Sequence, residues 1–288
     1  MADGAGRAEP FGVWATAVGV ARVRARETAR EQPLFRDPLA SAFATAGGIG
    51  PGLQSPRADE ADEAARRRRL GVVVSIVIRT KFLDDLLDRA VTSGVRQVVL
   101  LGAGMDSRAF RMDWPAGTRL FEVDTAEPLD FKAAVLRQEQ AVPRCERITV
   151  PVDLRDDWPG ALAAAGHVPA RPTVWIAEGL LIYLPEDAVQ LLLERVGALS
   201  AAGSRMGLTL GARGVVERFR GDAAPGSAAS MWISEMPEDP VGWLDGLGWE
   251  AETFTLRERA EAYGRPLRIP PQHDEGPGGL VSAVRAAH

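Results

Sequence analysis

The spacing of hydrophobic and polar residues changes near residue 95 of this 288-residue chain. Before that point apolar residues recur at mixed helical spacing among arginines, which predicts helices over Val13–Arg30 and Leu70–Val91 and a short one over Leu39–Phe43. After it, short apolar runs alternate with longer amphipathic stretches. The pattern divides the chain into an N-terminal helical region, residues 1–95, and a region of alternating strands and helices, residues 96–288.

The second region contains seven segments that we predict as strands. They are Val98–Leu101, Leu120–Val123, Ile148–Val150, Thr173–Ala177, Met206–Leu210, Glu250–Leu256 and Leu280–Arg285. Predicted helices lie between them at Asp106–Phe110, Leu129–Gln140, Asp157–Ala165, Pro185–Leu199 and Pro240–Leu247. Such alternation is typical of an α/β fold with a mostly parallel sheet and helices on both faces. The stretch 211–236 is too long for an ordinary connection and is a candidate substrate loop.

Composition narrows the classes of partner. A formal charge of −5 gives no reason to expect nucleic acid, and no segment is long and apolar enough to span a bilayer. The single cysteine, Cys145, excludes an intramolecular disulfide and a cysteine-based metal cage, so we expect no metal and a reducing, cytoplasmic location. The basic run Arg66–Arg69 is interpreted as a solvated helix face, with an anion-binding patch as the alternative. No pattern predicts the oligomeric state.

The chemically most informative segment follows the first predicted strand. Four apolar residues, Val98–Leu101, run directly into the turn Gly102–Gly104. Glycine after a buried strand lets the backbone turn tightly and approach a ligand. About 20 residues further on, the next strand carries Glu122 and Asp124, the spacing at which ribose hydroxyls are commonly bound. This pattern indicates a cofactor that contains adenosine; glycines used for packing alone are the alternative.

The same segment bears on which cofactor is bound. A dinucleotide fingerprint needs a third glycine, and this chain has Ser107 at that position. Asp106 stands where a pyrophosphate would lie, and neighbouring like charges repel. S-adenosylmethionine therefore fits better than a dinucleotide, and a dehydrogenase is the more distant alternative.

Five segments then occur in a characteristic order. They are Arg79–Asp85, Leu101–Arg111, Phe121–Asp124, Val152–Arg155 and Ala177–Pro185. Together they resemble the leucine carboxyl methyltransferase-like family, over roughly residues 15 to 210. Ala25–Thr28 and Pro33–Pro38 are similar to its bacterial branch of small S-adenosylmethionine-dependent O-methyltransferases. The resemblance implies a class I methyltransferase (Rossmann-like) fold, with a seven-stranded sheet and an N-terminal helical cap.

The resemblance also implies a cofactor role for particular residues. The turn of Gly102, Ala103 and Gly104 would bind the cofactor, with the two glycines facing its methionine part. Asp124, with Glu122 near it, would hold the ribose hydroxyls. The adenine would be flanked by Asp153, which would accept from the exocyclic amine, and by Leu154.

Five further positions are candidates for contact with the cofactor or the substrate, and three of them also have a structural interpretation. Glu178 follows a buried strand and would lie against the cofactor, since a buried carboxylate without a partner costs several kcal/mol. Arg79 would pair with the methionine carboxylate or be a helix-surface arginine, and Arg36 would contact the cofactor from the cap. Tyr183 would contact the substrate or be a core aromatic. Arg155 would lie near the substrate carboxylate or at the surface.

The reaction expected is O-methylation of a small molecule, such as a secondary metabolite, with a carboxylate as the favoured acceptor. A carboxylate is ionised at neutral pH and needs no general base, and neither His167 nor His273 lies in a motif that indicates one. A phenol or alcohol acceptor would need a base, which a tyrosine or a loop carboxylate could supply. The loops 45–70 and 211–236 suggest a lid over a small pocket. Alternatives are methylation of a protein C-terminal carboxylate and a non-catalytic cofactor-binding protein.

Overall fold

The computed structural model describes residues 13–48, 63–211, 231–267 and 279–286. Most of the predicted substrate loop 211–236 and of the loop 45–70 lies outside the described residues, as do His273 and the side chains of Arg66–Arg69. Among the helices of the described part, none combines the length and the hydropathy needed to cross a membrane.

Seven strands form one sheet. They are β1 (Gln97–Leu101), β2 (Arg119–Asp124), β3 (Glu146–Pro151), β4 (Thr173–Ala177), β5 (Arg205–Thr209), β6 (Trp249–Phe254) and β7 (Leu280–Arg285). Their order is β3-β2-β1-β4-β5-β7-β6, and every neighbouring pair is parallel except the two that involve β7. This confirms the predicted α/β fold of the class I methyltransferase type.

The helices connect these strands. They are α1 (Val13–Thr28), α2 (Ala40–Ala46), α3 (Glu63–Thr92), α4 (Arg108–Arg111), α5 (Ala126–Gln138), α6 (Trp158–Ala164), a 3₁₀ turn (Leu181–Tyr183), α7 (Glu186–Ala198), α8 (Pro240–Gly246) and α9 (Leu256–Ala262). The strand predicted over Glu250–Leu256 was too long, because Leu256 begins α9. The helix predicted from Asp106 begins at Arg108 instead.

Hydrophobic cores lie on both faces of the sheet, as predicted. Because strand side chains alternate between faces, Val98 and Leu100 belong to the cluster with Ile78 of α3, whereas Val99 and Leu101 belong to the other. The first cluster also holds Val18 of α1 and Phe43 of α2, and the second holds Trp158, Trp175 and Trp249. The N-terminal helices thus share a core with the sheet; the domain boundary near residue 95 stays a prediction.

Candidate cofactor site

Three strand ends meet at one edge of the sheet. Leu101 at the end of β1 pairs with Val123 of β2, and Leu100 pairs with Ile176 of β4. The residues that follow, Gly102, Asp124 and Glu178, therefore lie at the same edge. The strand order reverses between β1 and β4, and ligands of open α/β sheets bind at such a point.

The turn after β1 requires its glycines. Gly102 and Gly104 have φ angles of +64° and +41°, in the left-handed region that side chains disfavour. A Cβ on Gly102 would lie 2.9 Å from Leu180 Cδ1, and one on Gly104 would lie 3.0 Å from the Ala17 Cβ. The amides of Gly102 and buried Ala103 donate to the Val123 carbonyl at 2.9 and 3.2 Å. The turn is thus held against β2 and closely covered by α1.

A buried ion pair fixes α1 at this turn. Arg24 of α1 pairs with Asp37 at 3.1 Å, and both side chains are buried. The Arg24 guanidinium also donates to the Met105 carbonyl. Arg36, the neighbour of Asp37, is exposed in the segment between α1 and α2, and its predicted cofactor contact stays a prediction.

Asp124 joins the turn to the end of β2. Its Oδ2 accepts a hydrogen bond from the Gly104 amide at 2.7 Å, and its Oδ1 accepts one from the Thr125 amide at 2.8 Å. Burial raises the pKa of Asp124, and these two amide bonds oppose that rise. Each carboxylate oxygen has a second lone pair, so the group keeps acceptor capacity for hydroxyl donors. This suits the ribose role that was predicted.

Glu122 lies two residues earlier on the same strand face, completely buried. Its Oε1 is 2.8 Å from Lys132 Nζ, and its Oε2 accepts from Arg147 Nη2 at 2.6 Å. Burial lowers the pKa of Lys132, and the charge of Glu122 opposes this effect. The structure thus gives Glu122 two cationic partners within the protein, and its contact with ribose stays a prediction.

Glu178 and Arg79 are brought together. Glu178 accepts from Arg79 Nε at 3.2 Å, from the Thr80 hydroxyl at 3.0 Å and from Arg108 Nη2 at 2.8 Å. Burial would raise the pKa of Glu178, but the guanidinium charges of Arg108 and then Arg79 hold it below its ordinary value. This carboxylate, whose side chain is 10% exposed, therefore has protein partners, which the sequence did not reveal.

Gly179 is a residue of this site whose role sequence reasoning missed. Its φ angle is +63°, and a Cβ at this position would lie 2.9 Å from Arg79 Nη2 and 3.1 Å from Nη1. Its amide donates to the Thr209 hydroxyl at 2.6 Å. Only glycine lets the Arg79 guanidinium lie this close to the backbone. In the sequence, the glycine directly after Glu178 is the feature from which this close approach could have been predicted.

Arg108 is another residue whose role sequence reasoning missed, and its side chain has no exposure. Its guanidinium contacts Asp84 at 2.8 Å, Asp106 and Glu178. Burial would raise the pKa of Asp106, yet Arg108 lowers it to about 2. The charge of Asp106 is thus compensated inside the protein, so its repulsion of a diphosphate is a smaller effect than the bare sequence indicates.

The remaining predicted residues follow β3 and β4. Asp153 accepts from the Arg155 backbone amide at 2.9 Å and from its guanidinium at 3.0 and 2.6 Å. Arg155 itself is largely exposed, and Leu154 packs against the second hydrophobic cluster. Tyr183 is half-buried at the end of the 3₁₀ turn. The roles of these four residues at adenine and substrate stay predictions.

In the stretches that the structure describes, no group of three or more His, Cys, Asp and Glu side chains could hold a metal ion.

Comparison with known proteins connects this geometry with a family. The family model described as leucine carboxyl methyltransferase matches residues 17–197. A protein of Frankia alni is 85% identical over 288 residues, the full length of both chains. A protein of Streptomyces avermitilis is 78% identical over 285 residues, 99% of this chain and 100% of the relative. Both carry the provisional name of S-adenosyl-L-methionine-dependent methyltransferase.

A solved structure is similar in fold. The crystal structure of a duf574 family protein from Streptomyces avermitilis covers 96% of this chain and 100% of its own, with a TM-score of 0.56. The two sequences are 14% identical, so this similarity concerns the fold alone.

Proposed function

The chain belongs to the leucine carboxyl methyltransferase family and is an S-adenosylmethionine-dependent methyltransferase, and from this premise we propose that it methylates an oxygen of a small molecule. The favoured acceptor is a carboxylate, which would give a methyl ester. The proposal includes an acceptor from secondary metabolism and a cytoplasmic location, both inferred from the sequence.

The edge formed by β1, β2 and β4 fits S-adenosylmethionine, and this fit is the observation that carries the proposal. Asp124 has free acceptor capacity for the ribose hydroxyls. Arg79 bonds Glu178 through Nε, so the two Nη atoms of its fork remain suited to a carboxylate such as that of the methionine part. The turn of Gly102 and Gly104 lets a ligand approach the backbone closely.

The bound cofactor supplies an activated methyl group on a sulfonium. The residues of this chain then have to orient the acceptor oxygen and exclude water, and positioning of this kind lowers a barrier considerably. In the proposal, Arg155 holds an acceptor carboxylate and Tyr183 contacts the substrate. Both lie at the edge of the sheet where Asp124 and Glu178 lie, since they follow β3 and β4.

The position of His167 supports a methyl acceptor that needs no general base, because this histidine lies away from the candidate site. Its Nε2 lies 3.0 Å from the hydroxyl of Thr173, the first residue of β4, whereas Glu178 follows the last residue of that strand. His167 is therefore at the opposite end of the sheet from the candidate site. Burial lowers its pKa to about 4, and the ring packs on Phe121 and Trp175. His167 does not serve as a general base at this site.

Two measurements test the proposal. Isothermal titration calorimetry should show binding of S-adenosylmethionine and S-adenosylhomocysteine, and binding of NAD alone would contradict it. Incubation with methyl-labelled cofactor and a metabolite extract should then give a labelled small molecule whose label mild alkali releases as methanol. Methyl ethers resist that treatment, and S-adenosylhomocysteine should suppress the labelling. Label in the protein fraction would favour a protein carboxylate, and binding without turnover would favour a non-catalytic protein.

A further inference from the structure

We propose that Arg108 is a positioning residue that holds Glu178, and through it Arg79, in place for the amino-acid end of S-adenosylmethionine. The inference rests on the proposed function. Arg108 is not expected to touch the ligand; its whole side chain is buried, and its guanidinium is surrounded by protein carboxylates.

The three carboxylates around Arg108 come from three parts of the fold. Asp84 belongs to α3, Asp106 to the loop after β1, and Glu178 to the end of β4. The Nη2 atom of Arg108 donates to Glu178 at 2.8 Å and lies 3.4 Å from the Thr80 carbonyl. A buried charge is stable only when it is paired, so Arg108 fixes these three elements relative to one another.

Glu178 divides its two oxygens between two arginines. Its Oε2 accepts from Arg108, and its Oε1 accepts from Arg79 Nε and from the Thr80 hydroxyl. Without Arg108, Oε2 of this largely buried carboxylate would lose its donor, which costs more than the bond itself is worth. The Arg79 guanidinium already donates to Oε1 of the same carboxylate. We expect it to turn its Nη atoms toward Glu178 and away from the ligand carboxylate.

Arg111 provides a matched control. Its side chain is 4% exposed, and its two Nη atoms donate to Asp84 at 2.7 Å each. Arg111 thus shares a carboxylate with Arg108 but has no contact with Glu178 among the bonds of the described residues. Arg108→Lys and Arg111→Lys each keep a positive charge and each lose a fork-shaped donor.

The experiment compares two ligands by calorimetry on the wild type and both variants. S-adenosylhomocysteine has the amino-acid end, and 5′-methylthioadenosine lacks it. Arg108→Lys should lower the affinity for S-adenosylhomocysteine by about tenfold or more. It should lower the affinity for 5′-methylthioadenosine by less than about twofold. Arg111→Lys should change neither by more than about twofold. Equal losses for both ligands in Arg108→Lys, or the same selective loss in Arg111→Lys, would overturn the inference.

If Arg108→Lys does not fold, a milder variant tests whether the position of Glu178 controls the amino-acid end of the ligand. Thr80→Val removes only the hydroxyl that donates to Glu178 and keeps the shape of the side chain. It should lower the affinity for S-adenosylhomocysteine about threefold and leave the affinity for 5′-methylthioadenosine unchanged. An unchanged ratio of the two affinities would again overturn the inference. If the wild type binds neither S-adenosylhomocysteine nor S-adenosylmethionine, the proposed function itself fails, which is a distinguishable result.

Discussion

At the scale of single residues, Asp124 is the point at which the glycine turn and β2 are joined. In the wild type, the amides of Gly104 and Thr125 each donate to one carboxylate oxygen of Asp124. Asp124→Asn replaces one of these oxygens with an NH₂ donor, so one of the two amides loses its acceptor. A hydrogen bond to a charged group contributes about 1.5–3 kcal/mol, so affinity for S-adenosylhomocysteine should fall by about ten- to a hundredfold. Calorimetry measures this directly.

The matched control for this change is an exposed carboxylate without a contact to Asp124 or the glycine turn among the described residues. Asp113 is 98% exposed and pairs with Arg144 at the surface, at 2.7 Å. Asp113→Asn removes the same charge and should leave the affinity within about twofold. If Asp124→Asn binds as tightly as Asp113→Asn, Asp124 is not a cofactor ligand.

Sequence reasoning identified some residues of the candidate site and missed others for a physical reason. Asp124 and Glu178 were found because each ends a recognisable strand. The role of Arg108 was missed because its partners Asp84 and Glu178 are 24 and 70 residues away in the chain. The sequence correctly required a partner for buried Glu178. It could not reveal that two arginines of this chain provide that partner.

At the scale of elements, strands were predicted more accurately than short helices. The bounds of β4 and β7 agree with the prediction, and every residue of β4 is buried, as a strand inside a parallel sheet requires. Helix α9 was missed because it begins two residues after β6 and has a single fully buried position, Ala260. Its sequence does carry a signal, since Thr255 and Glu258 stand at the spacing of a capping box.

That capping box leads to a prediction about α9. The Thr255 hydroxyl accepts from the Glu258 amide at 3.1 Å, and the Glu258 carboxylate accepts from the Thr255 amide at 2.7 Å. Thr255→Ala should lower the free energy of unfolding by about 1 kcal/mol, as measured by urea denaturation. Thr255→Ser keeps the hydroxyl and should retain most of the stability. Equal losses in both variants would show that the methyl group, not the cap, is responsible.

At the scale of the whole molecule, buried titrating groups make stability depend on pH. Burial, assisted by the charge of Arg119, lowers the pKa of His167 from 6.5 to about 4. The unfolded chain therefore binds more protons between those values, and stability falls as pH drops through this range. Asp106, with its pKa lowered from 3.8 to about 2, adds a second loss as pH falls further toward 2. The raised pKa of Asp124 acts in the opposite direction.

The first of these losses can be assigned by one substitution. Between about pH 7.5 and pH 5, His167 should cost the wild type about 2 kcal/mol of unfolding free energy, since each pKa unit corresponds to about 1.4 kcal/mol. His167→Gln keeps a hydrogen-bonding side chain beside Thr173 but takes up no proton. Urea denaturation gives the free energy of unfolding at both pH values. The decrease of this free energy from pH 7.5 to pH 5 should be less than about half as large in the variant as in the wild type, whatever the variant's stability at pH 7.5. The pH dependence of the unfolding free energy reports proton uptake. An equal decrease in both proteins would therefore mean that groups other than His167 take up the protons between pH 7.5 and pH 5.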